Sequence, residues 1–141
     1  MARVKIELPD KFIFSTDIKV RIGDINYGGH VGNDAILGIA HTARLEFLKS
    51  FDYSELELEG VSLIMADSAI VYKGESFFGD TLLIEIAPND FSKYGFDLIY
   101  KISNKETKKD IAYIKTGMLC FNYKTRKLVS LPGNVISTFN K

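Results

Sequence analysis

A single long segment with helical periodicity, residues 34–50, constrains the fold of this chain more than any other feature. It contains no proline, and apolar side chains recur at helical spacing while further leucines widen the apolar surface. The apolar positions are Ile36, Ile39, Ala40, Ala43 and Phe47, extended by Leu37, Leu45 and Leu48. At ~1.5 Å per residue the predicted helix is about 24 Å long, a length that a sheet can wrap. The pattern therefore predicts one helix that is buried on most sides.

The rest of the chain carries strand patterns separated by short turns. Residues 17–22 alternate between apolar and charged side chains, the period-2 pattern of a strand with one face in water. Four longer strand candidates follow the helix, at residues 62–72, 81–87, 95–103 and 111–123. The turns between them are too short for crossover helices, so we expect neighbouring strands to form antiparallel hairpins. Residues 128–132 are a candidate for a short edge strand, and after Pro132 the pattern predicts neither helix nor strand.

Composition narrows the class of protein. The 141 residues fit one domain, taken as residues 1–141, and are enough to bury a core. Lysine plus arginine and aspartate plus glutamate both number 18, so no excess charge indicates nucleic acid or a membrane as the partner. Cys120 is the only cysteine, which excludes an internal disulfide and a cysteine-rich metal site. Because no apolar run approaches ~18 residues and the N-terminus does not resemble a signal peptide, we expect a cytoplasmic protein.

The segment between the first strand and the helix, residues 24–34, is where the chemistry is to be sought. Its sequence DINYGGHVGND combines polar and ionisable side chains with glycines at 28, 29 and 32, which permit positive φ or close approach of a ligand. Asn33 is predicted as the N-cap of the helix, with Asp34 favourably placed against the helix dipole. Free backbone N–H groups are thus offered to an anion or a polarised carbonyl. An ordinary glycine-rich connection is the alternative.

Taken together, these segments resemble the hotdog-fold acyl-thioester hydrolases, in particular the 4-hydroxybenzoyl-CoA thioesterase-like branch. The resemblance rests on the order of strand, DxNxxGHVxN-type loop, long helix and meander, and it covers roughly residues 17–123. It includes the helix sequence 43–48, the strand residues 70–72 and the turn Gly79-Asp80. The resemblance implies an α+β hotdog fold, with one long central helix wrapped by a five- to six-stranded antiparallel sheet. It also implies homodimers or homotetramers formed by pairing sheets, with an active site at the dimer interface for a pantetheine-linked acyl group.

Asn26 occupies the position where many members of the resembled family carry an aspartate that acts as nucleophile or general base. An amide cannot accept the proton, but its NH₂ group can donate a hydrogen bond to the thioester carbonyl. The general base is then expected at Asp24 or at Glu75. The segment Tyr72-Lys73-Gly74-Glu75 is similar to the YRRE-type segment of plant acyl-carrier-protein thioesterases, in which the glutamate is functional.

His30 is the candidate for polarising the thioester, shuttling a proton or holding a water, because histidine ordinarily changes charge near neutral pH. A loop histidine that only satisfies a carbonyl is the alternative. Asp67 interrupts an apolar strand and must be paired or solvent-facing; it is expected either to line the substrate cleft or to meet a partner at an interface. The remaining predicted substrate-binding residues are Gly28, Gly29, Val31, Asn33 and Asp34.

Three further side chains are expected to be structural. Cys120 follows the strand pattern and is expected to be a small core residue rather than a nucleophile. His41 is expected to be a partly buried residue that supports the site from behind. Glu46, close to Arg44 on the apolar helix, is expected to form a charge pair.

The function that these residues predict is hydrolysis of an acyl-CoA or acyl-carrier-protein thioester to free acid and thiol. In the expected mechanism the amides of residues 29–31 hold the thioester oxygen, Asn26 and His30 position carbonyl and water, and Glu75 or Asp24 accepts the water's proton. No metal or bound organic cofactor is expected, because CoA or phosphopantetheine enters as part of the substrate. The alternatives are a non-catalytic acyl-thioester binding or assembly module, and a hotdog dehydratase.

Overall fold

Helix and strands follow one another largely as the periodicity predicts, in a computed structural model that describes residues 3–141. One long helix lies between the first strand and four long strands, and a short helix ends the chain. In chain order the elements are β1 (Phe14–Lys19), a 3₁₀ turn (Ile22–Asp24), α1 (Asn33–Lys49), β2 (Ser62–Tyr72), β3 (Thr81–Asn89), β4 (Gly95–Asn104), β5 (Asp110–Asn122), β6 (Lys127–Leu128) and α2 (Gly133–Phe139). Within the described residues, no helix has the length and apolar character needed to cross a membrane.

The strands form one antiparallel sheet in the order β1-β3-β4-β5-β2, with the short β6 paired to β5. Two predicted hairpins are confirmed, β3 with β4 and β4 with β5. The hairpin prediction is wrong for β2 and β3, because β2 pairs with β5 and lies at the edge of the sheet opposite β1. Residues 73–80 join β2 to β3 across three strand spacings of ~4.8 Å, which an extended chain of that length can reach.

One face of α1 forms the centre of the hydrophobic core. Its side chains pack with inward-facing residues of β3, β4 and β5 in a single cluster. The buried α1 residues are Ile36, Ile39, Ala40, Ala43, Arg44, Phe47 and Leu48. Leu45 was expected to widen the buried surface but is 44% exposed. The predicted α+β arrangement, one long helix against a six-stranded antiparallel sheet, is confirmed.

Two local predictions around the start of α1 are wrong. The helix begins at Asn33 and its N-cap is Gly32, with no side-chain capping bond. The Gly32 amide donates to the Asp24 carbonyl at 3.0 Å, which holds residue 32 extended and makes Asn33 the first helical residue. The first strand ends at Lys19, earlier than predicted, and Ile22 is 73% exposed in the turn that follows.

The C-terminal residues form a helix that the periodicity did not predict. Val135 and Phe139 lie one helical turn apart in α2 and are buried. The Phe139 ring packs against Phe47 of α1 and Phe96 of β4, at centroid distances of 5.2 Å and 5.5 Å. A helix of 7 residues contains too few apolar positions for periodicity to identify it, so its order comes from this packing.

A buried polar network holds the middle of α1. Arg44 is 4% exposed and donates hydrogen bonds to Glu55 Oε2 at 2.9 Å and to the Tyr100 hydroxyl at 3.1 Å. Tyr100 is hydrogen-bonded to Thr116 Oγ1 at 2.8 Å, and His41 Nε2 lies 2.9 Å from Glu55 Oε1. A buried charge without a partner is costly, so these bonds fix the position of α1 relative to the sheet and to the loop that follows the helix.

Glu46 does not pair with Arg44; it accepts a hydrogen bond from Thr16 Oγ1 at 2.6 Å. The partner of Arg44 is Glu55. Burial acts to raise the pKa of Glu55, but the hydrogen bond from His41 and the charge of Arg44 outweigh it and hold that pKa below its ordinary value. A carboxylate with a lowered pKa stabilises the fold above its unfolded-state pKa, and this stabilisation is lost as the pH falls through the folded-state pKa.

We expect Glu55→Gln to lower the free energy of unfolding at pH 7 by about 2 kcal/mol, because the buried Arg44 guanidinium loses its carboxylate partner. Urea denaturation measures this, with Glu106→Gln in the exposed turn after β4 as the matched control. The difference from wild type should shrink as the pH falls from the ordinary glutamate pKa of about 4.3 through the lower folded-state pKa, because the wild-type carboxylate takes up a proton over that range. Equal stability of Glu55→Gln and wild type at pH 7 would contradict the role given to this network.

Candidate active site

Two adjoining spaces open where the start of α1 meets residues 73–80. The first, which we call the inner cavity, has a volume of about 280 Å³, and the second, the outer groove, about 670 Å³. Gly74, Glu75 and Ile111 belong to the walls of both, so the groove borders the cavity. The inner cavity is lined by His30, Val31, Asn33, Ile36, Tyr72, Gly74, Glu75, Ser76 and Ile111. Four of the predicted site residues therefore share one cavity: His30, Val31, Asn33 and Glu75.

Backbone pairing docks residues 73–80 on the loop before α1. The Val31 amide donates to the Ser76 carbonyl at 2.9 Å, and His30 lies opposite Phe77 in an antiparallel bridge. The connection between β2 and β3 thereby crosses the N-terminal end of α1. This docking brings residues that are far apart in the chain to the same end of the helix.

The His30 ring has a defined orientation in the loop. Its Nδ1 lies 3.1 Å from the Val31 carbonyl oxygen, and because a carbonyl only accepts, Nδ1 carries the proton in the neutral ring. The lone pair is then on Nε2. A Cβ placed on Gly28 would lie 3.5 Å from this Nε2 and 3.2 Å from Asn26 Oδ1, so the two side chains flank the glycine. Neutral His30 can accept a proton or a hydrogen bond at Nε2, and it can polarise a carbonyl only after protonation.

Asn26 is held by the loop and keeps its donor group free. Its side-chain Oδ1 accepts a hydrogen bond from the Gly28 main-chain amide at 2.9 Å, and the main-chain amide of Asn26 donates to the His30 carbonyl at 2.9 Å. Within residues 3–141 the side-chain NH₂ group makes no hydrogen bond. The NH₂ group therefore remains available to a ligand, as an oxyanion donor requires.

Two of the three amides that were expected to hold the thioester oxygen are already bonded. The Gly29 amide donates within the loop at 3.1 Å, and the Val31 amide donates to the docked connection at 2.9 Å. In the part of the chain that the structure describes, the amides of His30, Asn33 and Asp34 have no acceptor. The prediction is corrected accordingly: Gly29 and Val31 shape the loop, and the free amides are those of His30 and of the first turn of α1.

Asp24 lies apart from the other candidate bases. Its Oδ2 accepts a hydrogen bond from the Arg21 amide at 2.9 Å and its Oδ1 lies 3.5 Å from the Arg21 guanidinium, so the carboxylate caps the 3₁₀ turn. Asp24 and Asp34 line a separate groove of about 550 Å³ between β1 and α1. The structure therefore does not bring Asp24 together with His30 and Glu75. The chain forms a 3₁₀ turn at Ile22–Asp24 instead of continuing as a strand, and Asp24 lies at the groove between β1 and α1.

Asp67 also lies outside both the inner cavity and the outer groove. It follows a bulge in β2, where its Oδ1 accepts hydrogen bonds from Lys115 Nζ at 2.7 Å and from the Gly117 amide at 3.1 Å. The hydrogen bond from Lys115 holds the pKa of this exposed carboxylate below its ordinary value. Asp67 is thus both exposed and paired, and its partner Lys115 belongs to the neighbouring strand of the same sheet.

Ser76 is a cavity residue that the sequence reasoning missed. It is 1% exposed, and within residues 3–141 its Oγ has no hydrogen-bond partner. Tyr72 was also missed as a lining residue; its hydroxyl donates to the Asn33 carbonyl at 3.3 Å. The one signal available for Ser76 was its position next to Glu75, and a single serine has no pattern that distinguishes a site from a turn.

Comparison with known proteins matches the chain to one family over most of its length. The family model described as "Thioesterase-like superfamily" matches residues 20–139. A putative esterase from Aquifex aeolicus is 29% identical over 96 residues, which are 67% of this chain and 72% of that protein.

Solved structures share the fold. A 1,4-dihydroxy-2-naphthoyl-CoA thioesterase from Synechocystis superposes with a TM-score of 0.82 at 23% identity, covering 91% of this chain and 96% of that one. A DHNA-CoA thioesterase from Staphylococcus aureus gives a TM-score of 0.79 at 18% identity, covering 89% and 87%. At these identities the likeness concerns the fold alone, and it confirms the predicted hotdog arrangement.

Cys120 lies in the core of β5, as predicted, and burial raises the pKa of its thiol to about 11. At pH 8 its thiolate fraction is about a hundredfold lower than that of a thiol with the ordinary value of 9.0. We expect iodoacetamide at pH 8 to alkylate the native protein at least about a hundredfold more slowly than the urea-unfolded protein. Mass spectrometry of timed samples measures both rates, and equal rates would contradict the buried, inert thiol.

Proposed function

This chain belongs to the thioesterase-like superfamily, and from that premise we propose that it hydrolyses an acyl-CoA or acyl-carrier-protein thioester at the inner cavity. The observation that carries the proposal is the shared lining of that cavity by His30 and Glu75, beside the free amides at the start of α1. A carboxylate and an imidazole at one cavity supply the groups that activation of water requires. Unpaired N–H groups beside them suit the developing negative charge on a thioester oxygen.

In the proposed reaction, the Glu75 carboxylate takes a proton from a water molecule whose oxygen bonds to the thioester carbon. The carbonyl electrons move to oxygen, where the Asn26 NH₂ group and the His30 amide donate hydrogen bonds to the oxyanion. Its collapse breaks the carbon–sulfur bond, and the thiolate leaves with the proton that Glu75 holds. His30 Nε2 accepts a hydrogen bond from the attacking water. The products are the free acid and the free thiol, with Glu75 again ionised.

Glu75 is the better-supported base of the two carboxylates considered. It is exposed to both the inner cavity and the outer groove, and within residues 3–141 its side chain makes no ion pair. The Asp24 carboxylate already accepts a hydrogen bond from the Arg21 amide and lies in a different groove. A base needs an unshared lone pair within reach of the water, and this condition favours Glu75.

We also propose that two copies of the chain pair through β2. This strand is an edge of the sheet. On its outer side the Leu63 amide donates to the Glu55 carbonyl at 2.7 Å, and the other backbone groups of that side have no partner among residues 3–141. Met65 and Tyr72 on this strand and Phe77 after it are 42–48% exposed. An open edge flanked by apolar side chains favours pairing with a second copy, which would then border the inner cavity at Tyr72.

We expect thiol release from at least one member of a panel of acyl-CoA and acyl-carrier-protein thioesters, with Glu75→Gln lowering kcat by about 10²–10⁴-fold because the base is lost. Asn26→Ala should lower it by about 10²–10³-fold because an oxyanion donor is lost. His30→Ala keeps the main-chain amide but removes the Nε2 acceptor that positions the water, so it should also lower kcat. Continuous detection of free thiol measures the rate, and circular dichroism confirms that each variant is folded.

Glu106→Gln is the matched control, because this exposed carboxylate in the turn after β4 lies outside the cavity and away from β2, and its loss should leave kcat within about twofold of wild type. A folded Glu75→Gln variant with unchanged kcat would remove Glu75 from the mechanism. Saturable binding of thioesters with no thiol release would instead identify a binding module, and a new enoyl or hydroxyacyl thioester would identify dehydratase chemistry.

A further inference from the structure

The Ser76 hydroxyl is the single buried side-chain nitrogen or oxygen without a hydrogen-bond partner in residues 3–141. Native proteins rarely leave such a group unpaired, because it has lost its bonds to water and gained none from the protein. Ser76 belongs to the wall of the inner cavity, but its Oγ has almost no surface open to the empty cavity. A molecule in the cavity supplies the missing partner once rotation about the Cα–Cβ bond moves the hydroxyl to a staggered position that faces it.

The surroundings of Ser76 separate it from the reacting groups. Val31, Ile36 and Ile111, which line the cavity with it, are 6%, 3% and 3% exposed. Glu75, on the contrary, is solvent-exposed where the cavity meets the outer groove. The cavity therefore has a polar, accessible side for the thioester and a buried, apolar side with one hydroxyl for the acyl group.

We infer that Ser76 is a specificity-determining residue whose hydroxyl hydrogen-bonds a polar atom of the acyl group. The inner cavity then selects acyl groups that carry a hydroxyl or carbonyl over hydrocarbon acyl groups of the same shape. This inference rests on the proposed function, because it assigns the acyl group to the inner cavity.

The selectivity has a stated physical origin. A hydrocarbon acyl group fills the cavity but leaves the serine hydroxyl unpaired, whereas a polar substituent pairs with it and removes that cost. One neutral hydrogen bond of this kind corresponds to about a tenfold preference in the dissociation constant. Replacing Ser76 with alanine removes the unpaired group, so the preference disappears.

The test uses non-hydrolysable CoA thioethers in matched pairs, with titration calorimetry on wild type and variants. One pair is 2-oxopentyl-CoA with its 4-hydroxy derivative, and the other is phenacyl-CoA with its ring-hydroxylated isomers. In at least one pair, wild type should bind the hydroxylated member about tenfold more tightly, and Ser76→Ala should reduce the ratio to within about twofold. Ser76→Cys, of similar size but a weak donor, should behave like alanine. Ser103→Ala, a buried serine outside the cavity, is the matched control and should keep the wild-type ratio.

The melting temperature is a second readout. Replacing a serine with a purely structural role would lower it, whereas replacing an unpaired serine would not. Without ligand, Ser76→Ala should melt at the same temperature as wild type or a few degrees higher, because an unpaired polar group has been removed. A clearly lower melting temperature would show that the hydroxyl has a partner within the protein, and would overturn the inference. Dissociation of an oligomer by Ser76→Ala, seen by size-exclusion chromatography, would place that partner in a second copy and overturn it equally.

The remaining outcomes separate this inference from the proposed hydrolysis. A hydroxyl preference that Ser76→Ala abolishes, in a protein that releases no thiol from any thioester, would support Ser76 and reject hydrolysis. Thiol release by wild type, with the same binding ratio in wild type and Ser76→Ala, would do the reverse. An equal loss of affinity for both members of a pair would show that Ser76 contacts the part they share, and failure of all probes to bind would reject the assignment of the acyl group to this cavity.

Discussion

The hydrogen bond from the Val31 amide to the Ser76 carbonyl joins the two parts of the chain on which the site depends. β2 is one edge of the sheet, and β3 lies next to the opposite edge strand. The connection between them therefore crosses the end of α1, where this hydrogen bond forms. Had β2 and β3 formed a hairpin, Glu75 and Ser76 would lie in an ordinary turn away from His30. The topology of the sheet, rather than any local motif, thus creates the inner cavity.

The position of α1 is the second condition for this geometry. The helix is seated by apolar packing along one face and by the bonds of Arg44 to Glu55 and Tyr100 in its middle. A helix free to slide or rotate would carry the loop before it along, and the free amides of its first turn would lose their direction. The buried network therefore acts on the site at a distance, through the rigidity of the helix rather than through contact.

The carboxylates near the helix start are divided between two spaces. Asp24 and Asp34 line the groove between β1 and α1, whereas Glu75 is the one carboxylate in the wall of the inner cavity. Asn26 lies in the loop beside Gly28 and the His30 ring, at the position that carries an aspartate in many proteins of the resembled family. A second carboxylate in a small cavity would repel both Glu75 and a developing oxyanion. An asparagine at this position offers a neutral donor instead. The division is consistent with one base and one set of donors around a single reacting carbonyl.

Local periodicity was sufficient to predict α1, the long strands, the α+β class and the loop at residues 24–34, because each depends on residues that are near neighbours in the chain. The sequence could not decide between Asp24 and Glu75, identify Ser76, or pair Arg44 with Glu55, because those relations depend on which strands lie side by side. The same holds for α2, whose order comes from packing against Phe47 and Phe96. Sequence alone therefore determined the elements and the loop in which the site was sought. The tertiary structure decided which side chains meet there, because contacts between distant segments are set by the packing of the whole sheet around one helix.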